Sequence, residues 1–224
     1  MTSVNGYPEC GKLLLYILAG MLLLPAMAFA ESISVQVLGA NGTAAEGIAV
    51  YIESLDGRSV RSSSHVSIDI LQKDKAFTPY LSLVQVGTTV SFSNLDDITH
   101  HIYSVSGNKH FSHTVRAGKK TGDMKLEKTG IIAMGCNIHD WMSGYLLVVE
   151  TPYYELTDSQ GLVVFDLPDS VSYRAVAWHP QMNDALSKVI NLNSSSSIVL
   201  QMKHKMSSIP HQKGIDDFDF LEGY

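Results

Sequence analysis

The 224-residue sequence predicts an all-β protein, and three observations lead there. Apolar and polar residues alternate with a period of two along several runs. No segment after residue 30 carries a sustained helical stripe. Gly and Asn punctuate the runs where turns between strands are needed. Ile33, Val35 and Val37 alternate, as do Ile48, Val50 and Ile52, then Val66, Ile68 and Ile70, then Val90 and Phe92, and finally Ile198, Leu200 and Met202. The punctuation falls at 39–42 and at Gly57, Gly87, Gly118 and Gly130. Half-buried strands must cover their apolar faces against another sheet, so the expected architecture is a β-sandwich.

The N-terminus is read separately. After Lys12 comes the apolar run "LLLYILAGMLLLPAMAFA", closed by the small-x-small pattern Ala28-Phe29-Ala30. This is the pattern of an export signal, so residues 1–30 are set aside from the fold and the protein is expected to be periplasmic. Nothing after residue 30 is long and apolar enough to suggest an integral membrane segment once the signal is cleaved. Residues 1–30 carry only Glu9 and Lys12, so the mature chain keeps the formal charge of -6. A mildly acidic, unclustered charge argues against nucleic acid as a partner.

Signal removal also removes Cys10 and leaves Cys136 as the one cysteine, in a compartment where cysteines normally pair. An unpaired thiol there needs an occupant, and a metal supplies one. Cys136, His139 and Met142 follow one another at intervals of three in "GIIAMGCNIHDWMSGYLLVV". Thiolate, imidazole and thioether together suit copper cycling between Cu(I) and Cu(II); zinc accepts Cys and His but has little use for Met. A second imidazole is needed. The candidate stretch is "VGTTVSFSNLDDITHHIYS", where His100 or His101 begins a strand; neighbours on a strand point to opposite faces, and periodicity alone does not choose between them.

Chain organisation follows from the turns. The segment from Thr151-Pro152 to about residue 203 has its own strand rhythm, marked by "DSQG" and "LPDS", and is short for an independent core. The expected divisions are a signal at 1–30, a first β domain at 31–150, a small β module at 151–203 and a disordered acidic tail at 204–224.

"VGTTVSFSN", then "THH", then "GCNIHDWMSGYLLVV" resemble the strand-loop-strand parts of a cupredoxin, the plastocyanin-like blue-copper family. The Cys-x-x-His-x-x-Met spacing is most similar to the amicyanin branch. Members place the first His ligand six residues after the Asn that ends the preceding strand; from Asn94 that position is His100. The resemblance thus implies a Greek-key sandwich holding one type 1 copper ion on His100, Cys136, His139 and Met142. A narrower resemblance, over about residues 33–180, is to exported proteins labelled methylamine utilization proteins, which join a cupredoxin domain to a carboxypeptidase-regulatory-like β module. The label does not establish methylamine as a substrate.

Two positions depart from the family pattern: Thr99 stands where Pro is usual and His101 where Asn is usual. The Asn that ties the two ligand loops together is therefore absent, and His101 is expected either to replace its hydrogen bond or to compete as a ligand. The resemblance also makes His139 the electron port, with Trp141 and Met134 suggested as an apolar docking rim by their nearness in sequence.

Other side chains are read as ordinary. His110 and His113 are surface residues, His179 packs beside Trp178, and His204, Met206 and His211 belong to a solvated tail. Asp96 and Asp97 are expected to serve a turn. No nucleophile-base-orienter set appears, so an enzyme is not expected. The leading expectation is a single-electron carrier working with a redox protein such as a c-type cytochrome or a periplasmic dehydrogenase. A copper-binding or copper-delivery protein is the alternative, and an interaction module comes last.

Overall fold

The computed structural model describes residues 30–56, 66–168, 172–190 and 197–210, and among these there is no helix. The expected signal at 1–30 lies outside this range except for Ala30, as does the tail beyond residue 210. None of the described helical content is long and apolar enough to cross a membrane, there being none. Among the described residues sixteen strands form four sheets that pair into two sandwiches.

One sandwich is built from the middle of the chain. Its first sheet has the order β4 (Ala76–Thr78), β3 (Ser67–Lys73), β6 (Thr89–Asn94), β9 (Met124–Lys125). The facing sheet has the order β5 (Leu81–Gln85), β11 (His139–Val149), β10 (Gly130–Cys136), β7 (His100–Ser106), β8 (Lys109–Val115). Between them Ile70, Phe77, Val90, Phe92, Ile102, Ile132 and Leu146 are buried in one core that also contains Cys136 and Met142. Expected alternation is realised at Ile70, Val90 and Phe92, whereas Val66 lies outside the strand and is exposed.

The other sandwich takes strands from both ends. Its sheets are β13 (Leu162–Pro168), β1 (Ala30–Leu38), β16 (Ser197–Gln201) and β12 (Tyr154–Leu156), β2 (Ala49–Ser54), β14 (Tyr173–Trp178), β15 (Leu186–Ile190). The unit expected at 31–150 is therefore divided. β1 runs antiparallel to β13 and parallel to β16, and β2 lies between β12 and β14. The physical reason is core area: Ile33, Val35, Val37, Ile48, Val50 and Ile52 meet Val163, Phe165, Leu167, Ala175 and Leu200 in a single core that residues 151–203 could not fill alone. At Gly161 the backbone φ is +70°, and a Cβ there would lie 2.4 Å from the Val37 carbonyl oxygen, so the β12–β13 turn closes on β1 only with glycine.

The two sandwiches share a junction. Leu81, Leu147 and Val149, on the outer face of the five-stranded sheet, are buried with Ala49 against Tyr51, Tyr80, Tyr145, Tyr154 and Trp178. Tyr145 packs edge-on against Tyr80 at 5.5 Å and against Trp178 at 6.5 Å. Gln181 Nε2 donates to the Tyr80 hydroxyl at 2.8 Å. His179 is buried beside the Tyr80 ring, its Nδ1 accepting the Gln181 backbone N–H at 3.2 Å.

Burial pushes the His179 pKa down from 6.5 to about 4. The unfolded chain therefore takes up this proton before the folded one does as pH falls. Stability is fully present above about pH 6.5 and declines toward pH 4, by roughly 3 kcal/mol at most for this group. Denaturant titrations at pH 7, 5.5 and 4.5 are expected to show a shallower pH dependence for His179→Gln than for the wild type.

Candidate metal centre

The site begins where β6 ends. Asn94 is buried; its Oδ1 accepts the Asp96 backbone N–H at 2.9 Å, and its Nδ2 donates to the carbonyls of Ile98 at 2.7 Å and Val115 at 2.8 Å. These bonds shape the loop that delivers His100 to the first position of β7. Alternation along β7 then chooses between the two histidines: His100, Ile102 and Ser104 face inward and are buried, while Tyr103 and Val105 face out. His101 is turned away from the core and bonds Ser112 Oγ through Nε2 at 2.8 Å.

Cys136 closes β10 at a register shift between Gly135 and Cys136, directly opposite His139, the first residue of β11. A Cβ at Gly135 would sit 3.1 Å from the Tyr103 ring, so a larger residue there would have to displace that exposed ring. Further along β11, Met142, Gly144, Leu146 and Val148 face inward, so Met142 is buried in the core that holds Cys136. The Asn137 backbone N–H donates to the His101 carbonyl at 2.8 Å, with Asn137 Nδ2 3.5 Å from His101 Nδ1. The His101 main chain thus ties the two segments together, while its imidazole stays outside the site.

Cys136 Sγ lies 3.7 Å from His100 Nδ1 and 3.6 Å from His139 Nδ1. The ligand atoms of these three residues all lie within 4.8 Å of one another, and among the described residues they are the one such His/Cys/Asp/Glu group. His100 is fully buried and His139 half-buried at the edge, its ring 5.2 Å from that of Trp141.

Asp96 is the residue that sequence reasoning undervalued. Its Oδ2 lies 2.7 Å from His100 Nε2, so the proton on that nitrogen leaves Nδ1 turned toward Cys136. The same carboxylate accepts the backbone N–H groups of Asp74 at 2.6 Å and Lys75 at 3.0 Å. Those two residues form the β3–β4 turn with positive φ, 54° and 56°, so the carboxylate serves a turn distant in sequence. Partial burial works against its ionisation, yet the bonds from His100 and the two amides hold it below the usual carboxylate range. Burial likewise opposes the Cys136 thiolate, but His100 and the backbone N–H groups nearby draw its pKa down. Burial, with the charges of His100 and Lys75, lowers that of His139. Burial opposes the charged form of His100, yet its bonds to Cys136 and Asp96 raise its pKa. Cys136 and His139 are the two shifted toward the thiolate and the neutral imidazole that a metal needs.

Other expectations are sorted by burial. Met134 is 4% exposed and belongs to the core, so it cannot form a docking rim; β10 alternation sends it inward. The exposed apolar residues beside the site are Leu95, at 56%, and Ile138, at 55%. His113 stacks on Phe111 and His110 is exposed, both on β8 and outside the cluster. Met202 is buried in the second core and Met206, expected in a solvated tail, packs against that core, where the Ser207 N–H donates to the Gln181 carbonyl at 3.0 Å. His204 is exposed and His211 lies outside the described residues.

No protein-family model matches the chain, and no curated protein does. Among solved structures it is similar to a Cu(I) form of an amicyanin mutant, with 17% identity over 37% of this chain and 82% of that one, TM-score 0.35. A copper-containing nitrite reductase from Thermus scotoductus is 24% identical over 42% of this chain and 24% of that chain, TM-score 0.35. A purple cupredoxin from Nitrosopumilus maritimus is 24% identical over 38% of this chain and 99% of that one, TM-score 0.33. The site stands on its own geometry.

Replacing Asp96 with Ala is expected to release the β3–β4 turn and the His100 ring together. Loss of three hydrogen bonds to one carboxylate should cost about 1–3 kcal/mol of metal-free stability, and metal affinity should fall roughly 10- to 100-fold. Urea denaturation and Cu(II) competition titration read the two effects separately.

Proposed function

We propose that the protein is an exported mononuclear blue-copper electron carrier and not an enzyme. The observation that carries this reading is the convergence of one thiolate sulfur and two imidazole Nδ1 atoms, with Met142 buried in the same core. This donor set fits copper: two imidazoles and a thiolate tolerate Cu(II), sulfur favours Cu(I), and a thioether is a weak fourth donor that zinc seldom takes. Bound copper supplies one-electron chemistry.

The protein's own residues supply constraint. His100 and Cys136 sit on adjacent strands, and Asp96 fixes the His100 tautomer. Donors held this way change position little between oxidation states. Cys136, His100 and Met142 are buried, which disfavours ready exchange with a second protein, as copper delivery requires. His139 alone reaches the edge, flanked in sequence by exposed Ile138 and by Trp141, with exposed Leu95 on the loop before His100. That apolar edge suits brief contact with a redox partner such as a c-type cytochrome or a periplasmic dehydrogenase.

Addition of one equivalent of Cu(II) is expected to give intense visible absorption from thiolate-to-copper charge transfer, with narrow copper hyperfine splitting in the electron paramagnetic resonance spectrum. Cys136→Ser should abolish both. A colourless copper-loaded wild type would overturn the reading.

A further inference from the structure

Gln72 is fully buried, and among the described residues neither its side-chain nitrogen nor its oxygen has a hydrogen-bond partner. An amide buried in this way carries the desolvation cost of each unmet group. A core position on β3 would take Leu at no such cost, so the amide calls for an occupant.

Its neighbours show where it points. Gln72 follows Ile70 on the inward face of β3, and Ile70 belongs to the core that contains Cys136 and Met142. Across one edge Gln72 pairs with Asn94, whose side chain shapes the loop to His100. Across the other it pairs with Phe77, whose side chain approaches Gly144, two residues beyond Met142. The Gln72 carbonyl accepts the Leu95 N–H at 2.8 Å, and the Asp74 and Lys75 amides that follow it are held by Asp96. Gln72 therefore ends the inward row of one sheet at the level where His100, Cys136 and Met142 end the inward rows of the other.

Resting on the copper reading above, we propose that the Gln72 carboxamide belongs to the metal centre, its oxygen serving as an additional weak donor to the bound cation. A cation held by Cys136 and the two imidazoles is an occupant that would satisfy a buried amide oxygen. The role differs from that of Asp96, which acts through His100. It also gives the metal-free protein an internal cost at the amide oxygen that metal binding removes.

Gln72→Leu in the full chain tests this, with Cu(II) as the probe. Three quantities are compared with the wild type: the denaturation midpoint without metal, Cu(II) affinity by chelator competition, and the electron paramagnetic resonance spectrum. The expected result is a metal-free variant at least as stable as the wild type, with Cu(II) affinity at least tenfold lower and altered hyperfine splitting. Unchanged affinity and spectrum overturn the proposal, as does an affinity loss matched by equal loss of metal-free stability, which marks a packing role. Should the wild type bind Cu(II) without the charge-transfer band, the electron-carrier reading falls while the affinity comparison still decides Gln72. A wild type that does not bind Cu(II) overturns both.

Discussion

The carboxylate of Asp96 is the constraint on which the candidate site depends. Three donors from two segments meet on it: the amides of Asp74 and Lys75 and the imidazole of His100. The turn it holds contains two non-glycine residues with positive φ, a conformation that side chains disfavour. The carboxylate compensates that turn and in the same act orients the ligand ring. A charged acceptor suits the task because it keeps its bonds stronger than a neutral one would in a half-dry loop. The register of β3, the exit of the chain from β6 and the tautomer of His100 are thus coupled through one side chain.

Much of this was legible in the sequence, for definable reasons. Period-two alternation located most strands because burial of one face is a local property of a strand; Ile33, Val35 and Val37 are all fully buried. The spacing of Cys136, His139 and Met142 placed one side of the site because those residues share a short loop and its outgoing strand. Strand partners were not legible. Nothing local in Ile33 to Val37 says that β1 pairs with residues 162–168 and 197–201 and not with its sequence neighbours. Asp96 and Gln72 escaped for the same reason: each acts through a fold-level meeting. Met134, beside the ligand loop in sequence, faces inward because β10 alternates. Exposed Ile138, next to His139 in sequence, carries no signal of its own, because an isolated apolar residue in a loop belongs to no period.

Two kinds of contact hold the molecule around this site. Each sandwich has an aliphatic core, whereas the junction between them is aromatic and carries polar tips, with the Tyr80 hydroxyl bonded to Gln181 and His179 neutralised by burial. Tyr145 belongs to the same strand as the candidate ligands His139 and Met142, so the junction and the site share β11 as a common beam. Met142 lies on the face of that strand turned to the core, and Tyr145 on the face turned to the other sandwich.

The division of the outer sandwich has a consequence for how the chain becomes a folded object. β1 and β2 emerge first, but their partners lie more than a hundred residues later, as the pairing of Ser32 with Asp166 shows. The middle sandwich is complete by Val149 and can condense while β1 and β2 still lack partners. Two apolar strands with open edges then wait during that interval, and open edges invite pairing with other chains. Once β13 and β16 arrive they enclose β1 on both sides, and the segment between β2 and β12 becomes a loop anchored at both ends. The outer sandwich acts as a clasp on the inner one, which can fray only as far as a closed loop allows.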